Sequence, residues 1–414
     1  MIGQGYVGLP VAVRAAEVGF DVVGYDIDNA RVASLAAGRS YVGDISDERL
    51  GAALASGRYH PSADSSDMRG FDVAVISVPT PLYEGVPDLR FIESAAASIA
   101  PHVSAGSTVI LESTTYPGST EELVAPVLEA ESGMKAGLDF HLGYSPERID
   151  PGNDVWTFER TPKVVSGVTP ASLAAVQGFY DNLVEQTVPV SSPKEAELTK
   201  LLENTFRHVN VALVNELAMF ANDLGINVWE AIDAASTKPF GFMRFTPGPG
   251  VGGHCLPIDP TYLSWRVKQT LGHSFRFVEL ANDVNEHMPN YVVSRLVAAL
   301  NERALPVKGR RFLLLGMAYK RNTGDARESP SEAVAAGLRS LGAEVRAIDP
   351  HVDHAHFPAG VTPGQLNAEE LGAADAVVVL VDHQEFDFAM VTTHAKYVFD
   401  AKNVVPLGPN VDRL

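Results

Sequence analysis

Cysteine, basic residues and long apolar runs are all scarce in this sequence of 414 residues. The one cysteine, Cys255, excludes an intramolecular disulfide and a cysteine-rich metal site, and a lone thiol fits the reducing cytoplasm. No run approaches the roughly 18 apolar residues of a membrane span. Lys and Arg number 32 against 51 Asp and Glu, and this net charge of −19 argues against nucleic-acid binding. A protein this acidic must gather its Lys and Arg locally to bind an anionic ligand.

Short apolar runs alternate with helical patterns at both ends of the chain, and a helical region without such runs separates them. The predicted strands are 21–25, 72–78, 107–112, 140–144, 163–166, 312–315, 344–348, 376–381 and 397–400. The main predicted helices are 8–18, 90–99, 119–129, 195–224, 228–235, 260–271, 278–303 and 331–341. Such alternation predicts parallel sheets covered by helices. The expected fold class is α/β, with two Rossmann-like domains (1–190 and 305–414) joined by an all-helical domain (191–304).

A G-x-G-x-x-G motif lies at the start of the chain, and its residues are Gly3, Gly5, Tyr6, Val7 and Gly8. Such a turn brings the backbone and a helix N-terminus close to a pyrophosphate. Asp26 follows at the end of a predicted strand, where a carboxylate binds ribose hydroxyls and repels a 2′-phosphate. The motif therefore predicts NAD. Arg31 could contact the same ribose, but it also leaves some room for NADP. The competing interpretation is a Rossmann-like domain without a cofactor.

Two threonines follow predicted strands at the edge where ligands bind in such sheets. Thr80 and Thr115 are therefore candidate cofactor contacts, with helix capping as the alternative for each.

Cys255 ends a loop that contains four glycines, and Asp259 follows it closely. Glycines allow the backbone to approach a ligand, and a thiol there can act as a nucleophile if a cation lowers its pKa. The alternative is an inert packed cysteine. His254 is better explained as a structural or substrate-contacting residue than as a base.

Lys200 and Asn204 lie four residues apart on one face of a predicted helix and could donate to an oxyanion. Glu147 follows a predicted strand and could act as a general base on water. The alternatives are a solvated helix face for the first pair and a salt bridge to Arg148 for Glu147.

Two cations near the last domain's first strand, Lys320 and Arg327, suit the phosphates and base of a nucleotide. A surface charge cluster would explain them equally well.

Taken together, these segments resemble the nucleotide-sugar 6-dehydrogenases, the UDP-glucose/UDP-N-acetylhexosamine dehydrogenase family. The resemblance covers nearly the whole chain and is most specific in residues 200–204, 248–260, 316–320 and 325–330. It implies an NAD domain, a helical middle that forms a homodimer or larger homo-oligomer, and a C-terminal domain that binds the UDP part of the substrate. The chain departs from the family pattern at Arg244, where a Pro is usual, and at Lys402, where an Arg is usual.

The resemblance also implies roles for individual residues. Cys255 would be the nucleophile that forms a thioester, with Asp259 as its partner in proton transfer. Lys200 and Asn204 would stabilise the oxyanion and position water, Thr115 would position a water, and Glu147 would serve in thioester hydrolysis. The remaining substrate contacts would be Arg148, Gly252, Gly253, Lys320 and Arg327.

Segments 147–152 and 238–243 resemble the N-acetylhexosamine branch, so UDP-N-acetylglucosamine is the expected substrate, with UDP-glucose or UDP-N-acetylmannosamine as alternatives. Two other classes stay open. A two-electron 3-hydroxyacid or 6-phosphogluconate-type dehydrogenase would need neither Cys255 nor a second α/β domain. A non-catalytic nucleotide-sugar binding protein is the second class.

Only Met1 and Ile2 precede Gly3, although the first strand of a Rossmann sheet is central and a typical strand has about five or six residues. We therefore expect several further residues, mostly Val- or Ile-like, before Met1 in the native protein.

Overall fold

The computed structural model describes residues 1–83, 85–150, 153, 155–253 and 256–414. These residues form two compact units. Unit 1 comprises Met1–Glu203 and Thr261–His273, and unit 2 comprises Asn204–Pro260 and Ser274–Leu414. No helix within the described ranges is long and apolar enough to cross a membrane.

The α-helices in chain order are α1 (Gly8–Glu17), α2 (Asn29–Ala36), α3 (Asp47–Ala55), α4 (Arg90–Ile99), α5 (Ala125–Ser132), α6 (Pro170–Tyr180), α7 (Pro193–Asp223), α8 (Val228–Ser236), α9 (Asp259–Leu271), α10 (Arg276–Glu302), α11 (Pro330–Ser340), α12 (Ala368–Ala373) and α13 (Phe388–His394). The strands are β1 (Val22–Tyr25), β2 (Tyr59–Ser62), β3 (Val73–Ile76), β4 (Leu82–Tyr83), β5 (Val86–Pro87), β6 (Thr108–Leu111), β7 (His141–Tyr144), β8 (Lys163–Gly167), β9 (Thr187–Pro189), β10 (Arg311–Leu315), β11 (Glu344–Ile348), β12 (Thr362–Pro363), β13 (Ala376–Val379), β14 (Val398–Asp400) and β15 (Val411–Arg413).

The main sheet of unit 1 is a predominantly parallel one with helices on both faces. Its strands run in the order β2-β1 and β3-β6-β7-β8-β9, and Ile2 joins the two groups by bridging Tyr25 and Ile76. The backbone of Ile2 donates to Val75 (2.8 Å), so the first residues of the chain take the central position of the sheet. A cavity of about 340 Å³ lies beside them, lined mainly by apolar side chains.

Alternation along the strands of unit 1 places successive side chains on opposite faces of the sheet. Ile110 belongs to the same buried cluster as Val176 of α6. Its neighbour Leu111 belongs to the cluster on the other face, with Ile99 of α4. Both faces are therefore buried, as a parallel sheet requires.

The sheet of unit 2 has six parallel strands in the order β12-β11-β10-β13-β14-β15, which is the 3-2-1-4-5-6 order of a Rossmann domain. Helix α10 packs one apolar stripe onto this sheet, and Met288, Val292 and Leu296 are fully buried there. The helices α7, α8, α9 and α10 form the helical region between the two sheets in the sequence. The predicted fold class, two Rossmann-like parallel-sheet regions and a helical middle, is confirmed.

The predicted helices and strands are found within a few residues of their expected positions. Six short strands were not predicted: β2, β4, β5, β9, β12 and β15. Strand β2 contains Pro61 and an exposed His60, and the other five have two or three residues each, so none carries a regular apolar period.

The apolar side chains of α7 do not all face a core. In unit 2, four of them are between 45% and 56% exposed: Phe206, Leu213, Leu217 and Phe220. Leu224, just beyond the end of the helix, is also exposed. An apolar helix face of this kind commonly marks an interaction surface.

Candidate active site

The glycine turn of unit 1 has the close contacts that its motif predicts. Gly3 has a φ of +87°, and a Cβ added there would lie 2.5 Å from the backbone oxygen of Ser77. A Cβ on Gly8 would lie 1.9 Å from the backbone oxygen of Gly3. A Cβ on Gly5 would meet no atom within 4 Å, so the backbone there borders open space. No side chain caps the N-terminus of α1, which leaves the turn suited to a pyrophosphate.

Asp26 is the residue that holds this turn in place. It directly follows β1 and is buried. One carboxylate oxygen accepts the backbone N–H of Gln4 (2.9 Å), and the other accepts that of Asp28 (2.9 Å). Because a carboxylate has about four acceptor positions, capacity for ribose hydroxyls is left over. The geometry therefore fits the predicted cofactor contact.

Arg31 is drawn to acidic neighbours. Its guanidinium lies 3.7 Å from the carboxylate of Asp26 and 3.5 Å from that of Asp28. Two carboxylates beside one guanidinium make the place unfavourable for a 2′-phosphate. The arrangement favours NAD over NADP.

Neither candidate threonine of unit 1 caps a helix. The backbone oxygen of Thr80 accepts the hydroxyl of Tyr262 (2.9 Å), and a strand follows it. Thr115 is fully buried, and its hydroxyl donates to Ser119 (2.5 Å).

Glu197, which the sequence analysis did not single out, holds the segment that follows Thr115. This α7 carboxylate accepts the backbone N–H groups of Gly118 (2.6 Å) and Thr120 (2.9 Å). Burial raises the pKa of Glu197 to about 7, although those hydrogen bonds oppose the shift. A buried acid inside a helix has no signature in the apolar pattern.

Glu147 and Lys200 come together in unit 1. Both are buried, and the ammonium of Lys200 donates to the backbone oxygen of Glu147. Arg148 forms a salt bridge with Glu203 (2.7 Å). The alternative interpretation, in which Glu147 is a salt-bridge partner of Arg148, is therefore not supported. The burial of Lys200 also rules out an ordinary solvated helix face. The carboxylate of Glu147 remains a candidate base.

Asn204 and Asp259 come together in unit 2. The side-chain amide of Asn204 donates to the carboxylate of Asp259 (2.5 Å), and both residues are buried. Asp259 is the first residue of α9, where the helix dipole stabilises a negative charge.

The glycine-rich loop of unit 2 passes close to Tyr319. A Cβ on Gly253 would lie 2.7 Å from the ring of Tyr319, and one on Gly252 would lie 2.5 Å from the backbone oxygen of Glu328. Only glycine fits at these two predicted positions. Cys255 and His254 lie outside the described residues, as do Pro151 and Gly152 of the 147–152 segment.

The two cations predicted to hold a nucleotide are both in unit 2. Arg327 makes a two-point pair with Asp325 (2.8 and 2.6 Å), and its side chain is half-exposed. The ammonium of Lys320 lies 5.9 Å from the centre of the Tyr319 ring. These contacts are compatible with either nucleotide binding or a surface charge cluster.

Asp349 is the counterpart of Asp26 in unit 2, and the sequence analysis missed it. It follows β11 and accepts the backbone N–H groups of Met317 (2.7 Å) and Ala318 (2.9 Å), which follow β10. Burial opposes its ionisation, but hydrogen bonds from His383 and the backbone outweigh burial and lower the pKa of Asp349. The sequence does contain a signal for Asp349, because an acid directly after a predicted strand is the feature that singled out Asp26.

His351, His383 and Glu385 form a group of potential metal ligands within the described part of the chain. His383 accepts the backbone N–H of Asn322 on Nδ1 (3.0 Å), so its proton is on Nε2, facing Asp349 (3.0 Å). Both ring nitrogens are thus used, and His383 is a structural residue.

Three models of the UDP-glucose/GDP-mannose dehydrogenase family match this chain in succession. The NAD binding domain matches residues 1–184, the central domain residues 194–287, and the UDP binding domain residues 313–406.

Curated relatives and solved structures agree with these matches. The chain is 34% identical to a UDP-N-acetyl-D-mannosamine dehydrogenase of Pyrococcus horikoshii, over 99% of this chain and 96% of the relative. It is 38% identical to a UDP-N-acetyl-D-glucosamine 6-dehydrogenase of Pseudomonas aeruginosa, over 93% and 90%. A solved structure of a UDP-D-ManNAc dehydrogenase from P. horikoshii superposes with a TM-score of 0.90 at 33% identity, over 100% of this chain and 97% of that one.

Proposed function

Because the chain belongs to the UDP-glucose/GDP-mannose dehydrogenase family, whose members are NAD-dependent oxidoreductases, we propose that it oxidises the C6 primary alcohol of a UDP-sugar to a carboxylate. The observation that carries this proposal is the succession of NAD-binding, central and UDP-binding family domains along one chain. The reaction would proceed through a thioester on Cys255.

The chemistry requires two oxidations at one carbon. The Gly3–Gly8 turn and Asp26 would hold NAD⁺, which would supply the oxidant for both steps as a hydride acceptor. An aldehyde offers no hydride until a nucleophile adds to its carbonyl carbon. The thiolate of Cys255 supplies that addition, and loss of hydride from the thiohemiacetal leaves a thioester. Water then releases the acid and regenerates the thiol.

The buried polar groups have complementary roles in this scheme. Lys200 donates to the oxygen that becomes negative when the thiolate adds. Asn204 positions water, and Asp259 takes part in proton transfer. Glu147 accepts the proton of the attacking water, and Thr115 positions that water. The burial of Lys200, Asn204, Asp259 and Glu147 supports these roles, since buried charges and amides are rare outside functional or paired settings.

The nucleotide part of the substrate is assigned to unit 2. Lys320 and Arg327 lie after β10 and carry the positive charge that a diphosphate needs. Gly252 and Gly253 let the backbone approach the ligand. On the family resemblance alone, Arg148 is a further proposed substrate contact. To bind the Arg327 guanidinium, the diphosphate must compete with the carboxylate of Asp325.

We expect UDP-N-acetylglucosamine to be preferred over UDP-glucose, on the resemblance of segments 147–152 and 238–243 to the N-acetylhexosamine branch. UDP-N-acetylmannosamine is the alternative, because relatives of similar identity carry both names. Comparison of kcat/KM for the three UDP-sugars tests this. A higher value for UDP-glucose would refute the preference.

We further propose that the protein works in the cytoplasm as a homodimer formed through the exposed apolar face of α7. A cytoplasmic location suits a nucleophilic thiol, which must stay reduced. The four apolar side chains of that face, together with Leu224 just beyond the helix, suit a second copy of the same face. Light scattering should give about twice the monomer mass of 44.3 kDa, and a monomer at micromolar concentration would contradict the dimer.

The proposed four-electron dehydrogenase needs Cys255 as a nucleophile, whereas the alternative functions do not. Substitution Cys255→Ala should lower the rate of acid formation by several orders of magnitude, because covalent catalysis is lost. Binding of NAD and of the UDP-sugar should persist. Acid formation is measured by chromatography and binding by calorimetry. Acid production within about tenfold of the wild-type rate would exclude the thioester route. An unmutated protein that binds but never turns over would be a binding protein instead.

A further inference from the structure

A buried cluster of four ionisable side chains lies in unit 1 beside the candidate base. Glu112 directly follows β6, Lys163 begins β8, and Tyr180 ends α6. The ammonium of Lys163 is hydrogen-bonded to the carboxylate of Glu112, and the hydroxyl of Tyr180 donates to the same carboxylate (3.1 Å). The fourth member is Glu147, whose Oε2 lies 3.7 Å from the Lys163 nitrogen. All four side chains of the cluster are at least nine-tenths buried.

Lys163 is fixed in position by more than its ion pair. Its ammonium lies 5.0 Å from the centre of the Tyr180 ring and 5.5 Å from that of Phe158. Aromatic faces attract a cation, and they keep water away from it. The positive charge is therefore held at a defined place in a medium of low polarity.

The two carboxylate oxygens of Glu147 differ in their surroundings. Oε1 accepts the backbone N–H of Ile149. Oε2 is buried and accepts no hydrogen bond from any described residue, so its charge depends on the nearby Lys163 ammonium.

The other charged groups around Glu147 are committed elsewhere. Lys200 contacts its backbone oxygen, not its carboxylate. Arg148 is bound to Glu203 and to the backbone oxygen of Pro162. Among the described residues of unit 1, Lys163 is the cation paired with the Glu147 carboxylate.

The cluster has two carboxylates but one cation. Burial raises the pKa of Glu112 to about 7, the charge of Lys163 opposes this shift, and the charge of Glu147 adds to it. Ionised Glu112 and Glu147 therefore compete for the positive charge of Lys163. When Glu112 is protonated, more of that charge is left to Glu147.

We propose that Lys163 is a positioning residue that holds Glu147 as a carboxylate for thioester hydrolysis, and that Glu112 controls how much of the Lys163 charge Glu147 receives. The inference rests on the proposed function, in which Glu147 removes a proton from water. As the water oxygen bonds to the acyl carbon, its proton moves to Glu147 and the bond from carbon to the Cys255 sulfur breaks. The leaving thiolate recovers a proton, so the products are the acid and the thiol, while Lys163 keeps its charge throughout.

The experiment measures hydrolysis of the acyl-enzyme as a function of pH, by quenched flow and mass spectrometry of the intact protein. A carboxylate base is active when ionised, so the rate should rise with pH. Lys163→Met removes the stabilising cation, and the rise should move to higher pH by about 1–3 units. Lys163→Arg keeps the charge and should restore a profile close to the wild type.

Glu112→Gln is a matched variant, because glutamine has nearly the same shape as glutamate. Its expected shift of the pH–rate profile is opposite in sign to that of Lys163→Met. It removes the competing carboxylate, so the rise should move to lower pH. If Lys163→Met fails to fold because it leaves Glu112 buried without a cation, Glu112→Gln still tests the proposal. Rates that fall equally at every pH, or shifts of the same sign in both variants, would overturn it.

Glu147→Gln separates this inference from the proposed function. If that variant hydrolyses the acyl-enzyme normally, Glu147 is not the base, and both the inference and that part of the proposed mechanism fail. If it stops hydrolysis while the Lys163 and Glu112 variants leave the pH profile unmoved, the role of Lys163 alone is wrong.

Discussion

A carboxylate at the end of the strand beside the central one organises each Rossmann unit of this protein, because it bonds to the backbone of the turn that follows the central position of the sheet. Asp26 accepts the N–H of Gln4 in unit 1, and Asp349 accepts those of Met317 and Ala318 in unit 2. The turn must be glycine-rich, because a Cβ on Gly8 or Gly316 would clash with neighbouring atoms at 1.9 and 2.3 Å. The acid thus fixes the glycine-rich loop, and it also places a negative charge at the same edge of the sheet.

The two units use this device differently. In unit 1 Asp26 has two backbone donors, which leaves it capacity for ribose hydroxyls. In unit 2 Asp349 also bonds with His383 and with the backbone N–H groups of His351 and Val352. Five donors saturate that carboxylate, so in unit 2 it is structural. The similar folds therefore support different binding tasks.

The sequence predicts those parts of the fold and site that depend on local pattern. The period of the apolar residues locates α7 and α10, and the glycine motif with Asp26 predicts the dinucleotide turn. Short strands such as β15 have too few residues for a period to emerge. The Lys163–Glu112 pair joins residues 51 positions apart, and two charged side chains beside apolar strands carry no sign that they are buried together. Long-range pairing of this kind depends on the folded sheet.

In the proposed reaction, two successive oxidations occur at the same carbon, and Cys255 binds that carbon covalently before the second. The most direct test is the number of NADH molecules formed for each UDP-sugar consumed, with free aldehyde assayed by a trapping reagent. Two NADH should form for each molecule of acid without accumulation of aldehyde, because the intermediate stays covalently attached. One NADH for each sugar, with aldehyde or ketone as the product, would contradict it.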